Sequence, residues 1–282
     1  MRFNYRIVSD TSSSAVQTVE IDIEGVDAED HIMRQIAQQE TFYENDLLSF
    51  LGKYGPRGGV YIDVGANIGS YGRMLRRVGY KGRIVSIEPV PEVFAQLSAA
   101  AAGDDEWMTL KMACGSREET RPINIFAKSA LTSFLEPSPN LLRMELDPNP
   151  IQRTEAMKIV RLDSLFDQML SGIDEPRVFL KIDCQGLDFE VLKGAGEAIA
   201  TVEGLQSEVS SIPLYFGVPD YLEFLSYCRD LGFEPTGFFP VCNSPVGGHM
   251  IECDVVLIRR HWSNLENALN ESSQNGNNLQ SS

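Results

Sequence analysis

Histidine is scarce in this sequence: His31, His249 and His261 are the only three in 282 residues. That leaves too little imidazole for a His-rich metal cluster. The cysteines (Cys114, Cys184, Cys228, Cys242 and Cys253) are odd in number and contain no CxxC or zinc spacing. Neither a zinc module nor a disulfide framework is expected, and reduced thiols in a cytoplasm fit better. No apolar run reaches the roughly 18 residues a membrane span needs, and Met1–Ile7 does not open a secretory leader. Basic residues are also in deficit, 24 against 40 acidic ones, for a formal net charge of −16. Such a field disfavours nonspecific binding to nucleic acid or to an anionic membrane surface. The expectation is a soluble, cytoplasmic protein with no nucleic-acid partner.

A hydrophobic content of 43% is enough to bury a sizeable core. Residues 1–57 read as an N-terminal extension packed on a main domain. Val19–Ile23 alternates like a strand, and Ala28–Tyr54 carries helical apolar spacing up to the Gly55–Gly59 break. A main domain is expected over 58–262. Short apolar runs there (Val60–Val64, Arg83–Glu88, Met108–Cys114, Arg177–Asp183, Leu205–Val209) alternate with helical patterns, which predicts a mainly parallel α/β sheet covered on both faces. The last two strand candidates, Gly232–Phe239 and Asp254–Ile258, have no room for a helix between them and suit an antiparallel hairpin at the sheet edge. The proline-rich stretch from Glu136 to Pro150, within 136–158, reads as a lid or substrate loop. The Asn/Ser/Gln-rich end, 263–282, reads as a disordered tail.

Chemistry concentrates at Asp63-Val64-Gly65-Ala66-Asn67-Ile68-Gly69, where a strand enters a tight turn and a helix leaves it. Glycine lets backbone approach a ligand, and a helix start offers free N–H groups. In a parallel sheet such a turn lies at the carboxyl ends of the strands, where ligands bind. The loop is no dinucleotide fingerprint: aligned from Gly65, Asn67 and Ser70 fall where the second and third glycines belong, and the second makes room for a pyrophosphate. A cofactor carrying an ammonium and a carboxylate but no phosphate fits better, with Asp63 toward its cationic side. Glu88, closing the next strand, is placed to take both hydroxyls of a ribose.

Together with Ser86-Ile87-Glu88-Pro89 and Phe179-Leu180-Lys181-Ile182-Asp183-Cys184-Gln185-Gly186, the loop resembles the FkbM family of methyltransferases, over roughly Val60–Ser210. The resemblance implies a class I, Rossmann-like methyltransferase fold with a seven-stranded sheet, and S-adenosyl-L-methionine as methyl donor. It also implies O-methylation of a hydroxyl on a sugar, glycan or secondary metabolite. Carried over, Asp63, Gly65, Asn67 and Gly69 line the methionine side, Glu88 holds the ribose, and Asp183 lies near the transferring methyl. Ser116, in Ala113-Cys114-Gly115-Ser116, stands where relatives carry an A-L-G-D-like turn and is the candidate for the adenine amino group.

A hydroxyl acceptor must lose a proton, so a general base is expected. Asp183 is the first candidate, with the alternative that it only orders the cofactor; Glu208 and His249 follow. The spacing of these three is nonspecific for metal, and none is assigned. Tyr221, Phe224 and Tyr227 read as core rather than an acceptor platform, and Lys181 and Lys193 as structural or solvated. N-methylation of an amide or peptide, hydride transfer with NAD, and a binding module without catalysis remain rival readings.

Overall fold

The computed structural model describes residues 3–6, 18–21, 59–144, 150–243 and 248–260. In the N-terminal unit, Met1–Asp46, β1 (Phe3–Arg6) pairs antiparallel with β2 (Thr18–Ile21). The helical expectation over Ala28–Tyr54 and the tail 263–282 lie outside the described residues.

The larger unit is built on β3 (Val60–Val64) and β9 (Val178–Ile182), which lie side by side in parallel and are buried at every position. Complete burial is what central strands covered on both faces require, and it explains their near-continuous apolar runs. On one flank follow β4 (Arg83–Ile87) and β5 (Trp107–Leu110), both parallel. On the other flank, β10 (Val202–Ser210) is parallel to β9, and β12 (Met250–Arg259) inserts antiparallel between β10 and the edge strand β11 (Phe233–Asn243). The seven-strand order is thus β5-β4-β3-β9-β10-β12-β11. The expected antiparallel hairpin is present, with β11 at the edge.

Helix α1 (Ser70–Arg77) leaves the glycine loop, and α2 (Pro91–Ala101) follows β4 with its proline at the helix start. Glycine lets α1 dock closely: a Cβ on Gly72 would sit 2.1 Å from the Trp107 ring, whose Nε1 donates to Ser86 Oγ at 3.0 Å. After β9 come α5 (Asp188–Gly194) and, following β10, α6 (Tyr221–Asp230). Phe224 of α6 is buried against Phe189, as expected of core aromatics. Among the described residues no helix is long and apolar enough to cross a membrane.

The structure departs from the expected pattern between β5 and β9. Met108–Cys114 is not one strand: Met112 N–H turns back to the Leu110 carbonyl, so the ladder with β4 stops at Leu110. Ala113–Gly115 becomes β6 of a separate sheet of order β6-β8-β7, with β7 spanning Glu119–Phe126 and β8 Ile151–Arg161. Pro122 is tolerated because β7 is an edge strand. Within the expected lid 136–158, the described residues include α3 (Pro139–Met144) and the first part of β8.

Candidate active site

Strand order reverses at β3, since the chain proceeds to β4 on one side and returns later as β9 on the other. A doubly wound sheet opens a crevice at such a point, beyond the carboxyl ends of its strands. A cleft lies there, lined from the ends of β3, β4 and β9, where small-ligand sites of such sheets are found.

The loop after β3 is folded tightly over β4 and β9. Gly65 N–H and Ala66 N–H both donate to Ile87 O at 3.0 Å, and Asp183 N–H donates to Val64 O at 2.9 Å. Gly65 has φ +83°, and a Cβ there would lie 1.9 Å from Asp183 O. Only glycine lets the two strand ends close together. Asn67, at φ +48°, points its N–H at Glu88 Oε2 (3.1 Å), and its Oδ1 accepts from Ser129 Oγ at 2.9 Å.

Of the residues proposed from sequence, Gly65, Asn67, Glu88 and Asp183 line this cleft. Asp63 does not: it is fully buried beneath the loop, with Oδ1 at 3.0 Å from Lys181 Nζ and Oδ2 without a hydrogen-bond partner. Gly69 lies at the start of α1 rather than in the lining, packed against Leu97 and Trp107. Ser116 also lies outside the lining, its hydroxyl spent on Glu190. Glu208 borders a second, smaller cavity with Glu252, Asp188 and Tyr221. His249 is exposed and lines neither cavity, whereas Asp183 and Glu208 approach each other across Gln185 Nε2.

Several other lining residues, among them Ile87, Ala113, Cys114 and Gln185, fall within the motifs quoted above, whereas the Ser129–Phe134 segment carries no such signal. Ile87, Met112, Ala113 and Cys114 make an apolar wall beside Glu88, and Ser129, Ala130, Thr132 and Phe134 cover the cleft from the chain following β7. Lys181, read as structural or solvated, is buried between carboxylates and stacks over Tyr71 at 5.1 Å. Burial opposes its charge, but Asp63 and Asp183 outweigh burial and hold its pKa above the ordinary range.

Glu88 is nearly fully buried, each carboxylate oxygen accepting one backbone N–H: Val90 at 2.9 Å and Asn67 at 3.1 Å. Burial pushes its pKa up to about 7 despite those donors, with Asp63 and Asp183 adding repulsion. Burial does the same to Asp188, Glu252 and Asp254, each about 7, and lifts Glu208 well above the carboxylate range with Glu252 adding to it. These groups hold protons in the folded protein that the unfolded chain releases near pH 4–4.5. Their contribution to stability is therefore complete below that range and lost as pH rises through 7. Asp104 and Glu92, whose pKa values are lowered by arginine, act in the opposite sense but only in more acidic solution. Thermal melting should accordingly show Tm falling by roughly 5–10 °C from pH 5.5 to pH 8.5, at about 2–4 °C per kcal/mol for a domain of this size. A flat or rising Tm would contradict these protonation states.

The cleft's donor set suits one class of ligand. Glu88 and Asp183 are its only ionisable carboxylates, and none of its lining residues is Lys, Arg or His. A pyrophosphate would meet only like charge, whereas a cation bearing a ribose and an adenine finds carboxylates and an apolar wall. Among the described residues no group of His, Cys, Asp and Glu has the arrangement to hold a metal ion.

Residues 63–235 match the family model described as the methyltransferase FkbM domain. No curated protein matches the sequence. Solved structures resemble the chain at low identity. Magnesium protoporphyrin IX methyltransferase from Synechocystis PCC 6803, with bound S-adenosylmethionine, is 11% identical over 83% of this chain and 85% of its own, with a TM-score of 0.45. A Methanococcus jannaschii fibrillarin pre-rRNA processing protein is 12% identical over 72% and 67%, with a TM-score of 0.40. An Aeropyrum pernix fibrillarin with natively bound S-adenosyl-L-methionine is 11% identical over 71% and 66%, with a TM-score of 0.39.

Proposed function

The chain belongs to the FkbM methyltransferase family, and from that premise we propose that it moves a methyl group from S-adenosyl-L-methionine to a hydroxyl of a sugar, glycan or secondary metabolite. The observation carrying the donor assignment is the cleft at the β3/β9 switch point, lined by two carboxylates and no basic side chain.

When bound, S-adenosylmethionine supplies an electrophilic methyl on a sulfonium. Glu88, steadied by Asn67 and Val90 N–H groups, keeps lone pairs free for two ribose hydroxyls. The apolar wall from Met112 to Cys114 flanks the base, and the backbone of Gly65–Asn67 faces the methionine part. Asp183 ends β9 in the same cleft with its side chain partly open to solvent. There its carboxylate favours the sulfonium cation and accepts the acceptor hydroxyl's proton. Alignment of that oxygen can contribute several kcal/mol, on the order of 7–11 in favourable cases. The segment Ser129–Phe134 limits water at the cleft. The net charge of −16 favours a small acceptor over RNA, and five free cysteines suit a reducing cytoplasm.

Calorimetry with S-adenosylmethionine and with NAD separates the two donor chemistries. Saturable binding of the former alone is expected, followed by transfer of methyl tritium from labelled donor into a hydroxyl-bearing compound of a small-molecule extract. Saturable NAD binding without S-adenosylmethionine binding would reverse the assignment. Label appearing as an N-methyl product would replace the acceptor class.

A further inference from the structure

We propose that Gln185 is the positioning residue of this site: its side-chain amide fixes the Asp183 carboxylate and ties it to the segment covering the cleft. The inference rests on the donor reading above and goes beyond it, since it concerns what holds Asp183 in place.

Gln185 Nε2 donates to Asp183 Oδ1 at 3.0 Å and to Glu208 Oε2 at 3.2 Å. A primary amide has two N–H bonds, and each meets one carboxylate. At the other end, Gln185 Oε1 lies 3.0 Å from the Tyr215 hydroxyl, whose oxygen is also 2.9 Å from Leu131 O. Tyr215 is buried and its ring is held in a separate apolar cluster with Phe126, Leu141 and Leu214. In this orientation the two N–H groups meet Asp183 and Glu208 while the carbonyl meets the phenol; flipped, the carbonyl would face the Asp183 oxygen and that hydrogen bond would be lost. The backbone is committed as well. Gln185 stands at φ +48°, unusual for a residue with a side chain, and its carbonyl accepts from Ser133 Oγ at 2.7 Å.

Three elements meet at this residue: the end of β9 through Asp183, β10 through Glu208, and the covering segment through Ser133 on the Gln185 carbonyl and through Tyr215, which links the side chain to Leu131 O. A neutral donor thus meets Asp183 and the buried carboxyl of Glu208 at once, and it does so without contributing a cation to the cleft. Gln185 acts on Asp183, and Asp183 on the cationic ligand.

A readout that general weakening of the fold would not move is the ratio of dissociation constants for S-adenosylmethionine and for S-adenosylhomocysteine, its neutral thioether counterpart. Calorimetry with both ligands on Gln185→Met, which keeps side-chain length, should show that ratio shifted against the sulfonium by about 3–10-fold, the size of a partly exposed charge contact. Tyr215→Phe, which keeps the buried ring, should shift it in the same direction by less. If Gln185→Met fails to fold on thermal melting, Tyr215→Phe carries the same measurement. A ratio equal to wild type in the folded variants, or parallel weakening of both ligands, overturns the positioning role. If the wild type binds neither ligand, the donor reading itself falls and the inference falls with it, a result distinct from wild-type binding with an unmoved ratio.

Discussion

Replacing Lys181 with methionine is expected to destabilise the folded protein by about 3–5 kcal/mol, the usual cost of leaving a buried charge without its partner. Methionine keeps an unbranched apolar stem as far as Cε and removes the ammonium. Asp63, fully buried with one oxygen already unpartnered, would then lose the cation that holds its other oxygen at 3.0 Å. Lys181 also reaches Asp183 Oδ2 at 3.4 Å, so the same substitution disturbs the cleft. The companion change separates the two effects. Adding Asp63→Leu to Lys181→Met removes both charges, and stability should return to within about 1–2 kcal/mol of wild type, because an apolar pair can replace a buried ion pair at little cost. Urea denaturation of the wild type and the two variants measures this. Equal stability of Lys181→Met and wild type would show that Asp63 is not ionised in the folded protein.

Replacing Glu88 with alanine should weaken S-adenosylmethionine binding by about 1.5–3 kcal/mol, or roughly 10–150-fold, for loss of hydrogen bonds to a charged acceptor. The pH dependence gives a second mark. In the free protein Glu88 has a pKa of about 7, and charge-assisted acceptance needs the ionised form. Wild-type affinity should therefore rise from pH 6 to pH 8, with proton release on binding, and the dependence should flatten in Glu88→Ala. The variant should also leave Asn67 and Val90 N–H groups without their acceptor. Wild-type affinity in a folded Glu88→Ala protein would remove Glu88 from the ribose contact.

The parts of the fold legible in the sequence are those where burial is complete. Val60–Val64 and Val178–Ile182 lie in the sheet centre, and their apolar runs announce it. The strands of the second sheet are different. Along β8, Gln152, Thr154, Ala156 and Lys158 are exposed, while the alternate face is only half-buried and includes Arg153 and Glu155. Neither face forms an apolar stripe, so a period of two leaves no trace. At the site, Gly65, Asn67, Glu88 and Asp183 were readable because local turn chemistry and strand ends place them. Asp63 had the same local signature, yet its pairing with Lys181 is set by register between strands 118 residues apart in sequence. Ser129 and Phe134 reach the cleft only because β7 and β8 fold back, which nothing in their own neighbourhood encodes.

That hairpin has a consequence for how such a protein can diversify. Its long connection is pinched shut where Ala127 N–H meets Pro150 O at 2.9 Å. Closing a longer loop on a fixed base costs only about 0.6 kcal/mol per doubling of length. The contacts at Gly65, Glu88 and Asp183 hang from the seven-strand ladder, while Ser129, Leu131 and Ser133 bind that framework from just inside the clasp. Extra length can therefore be taken up beyond Phe134 at small entropic cost without moving either set.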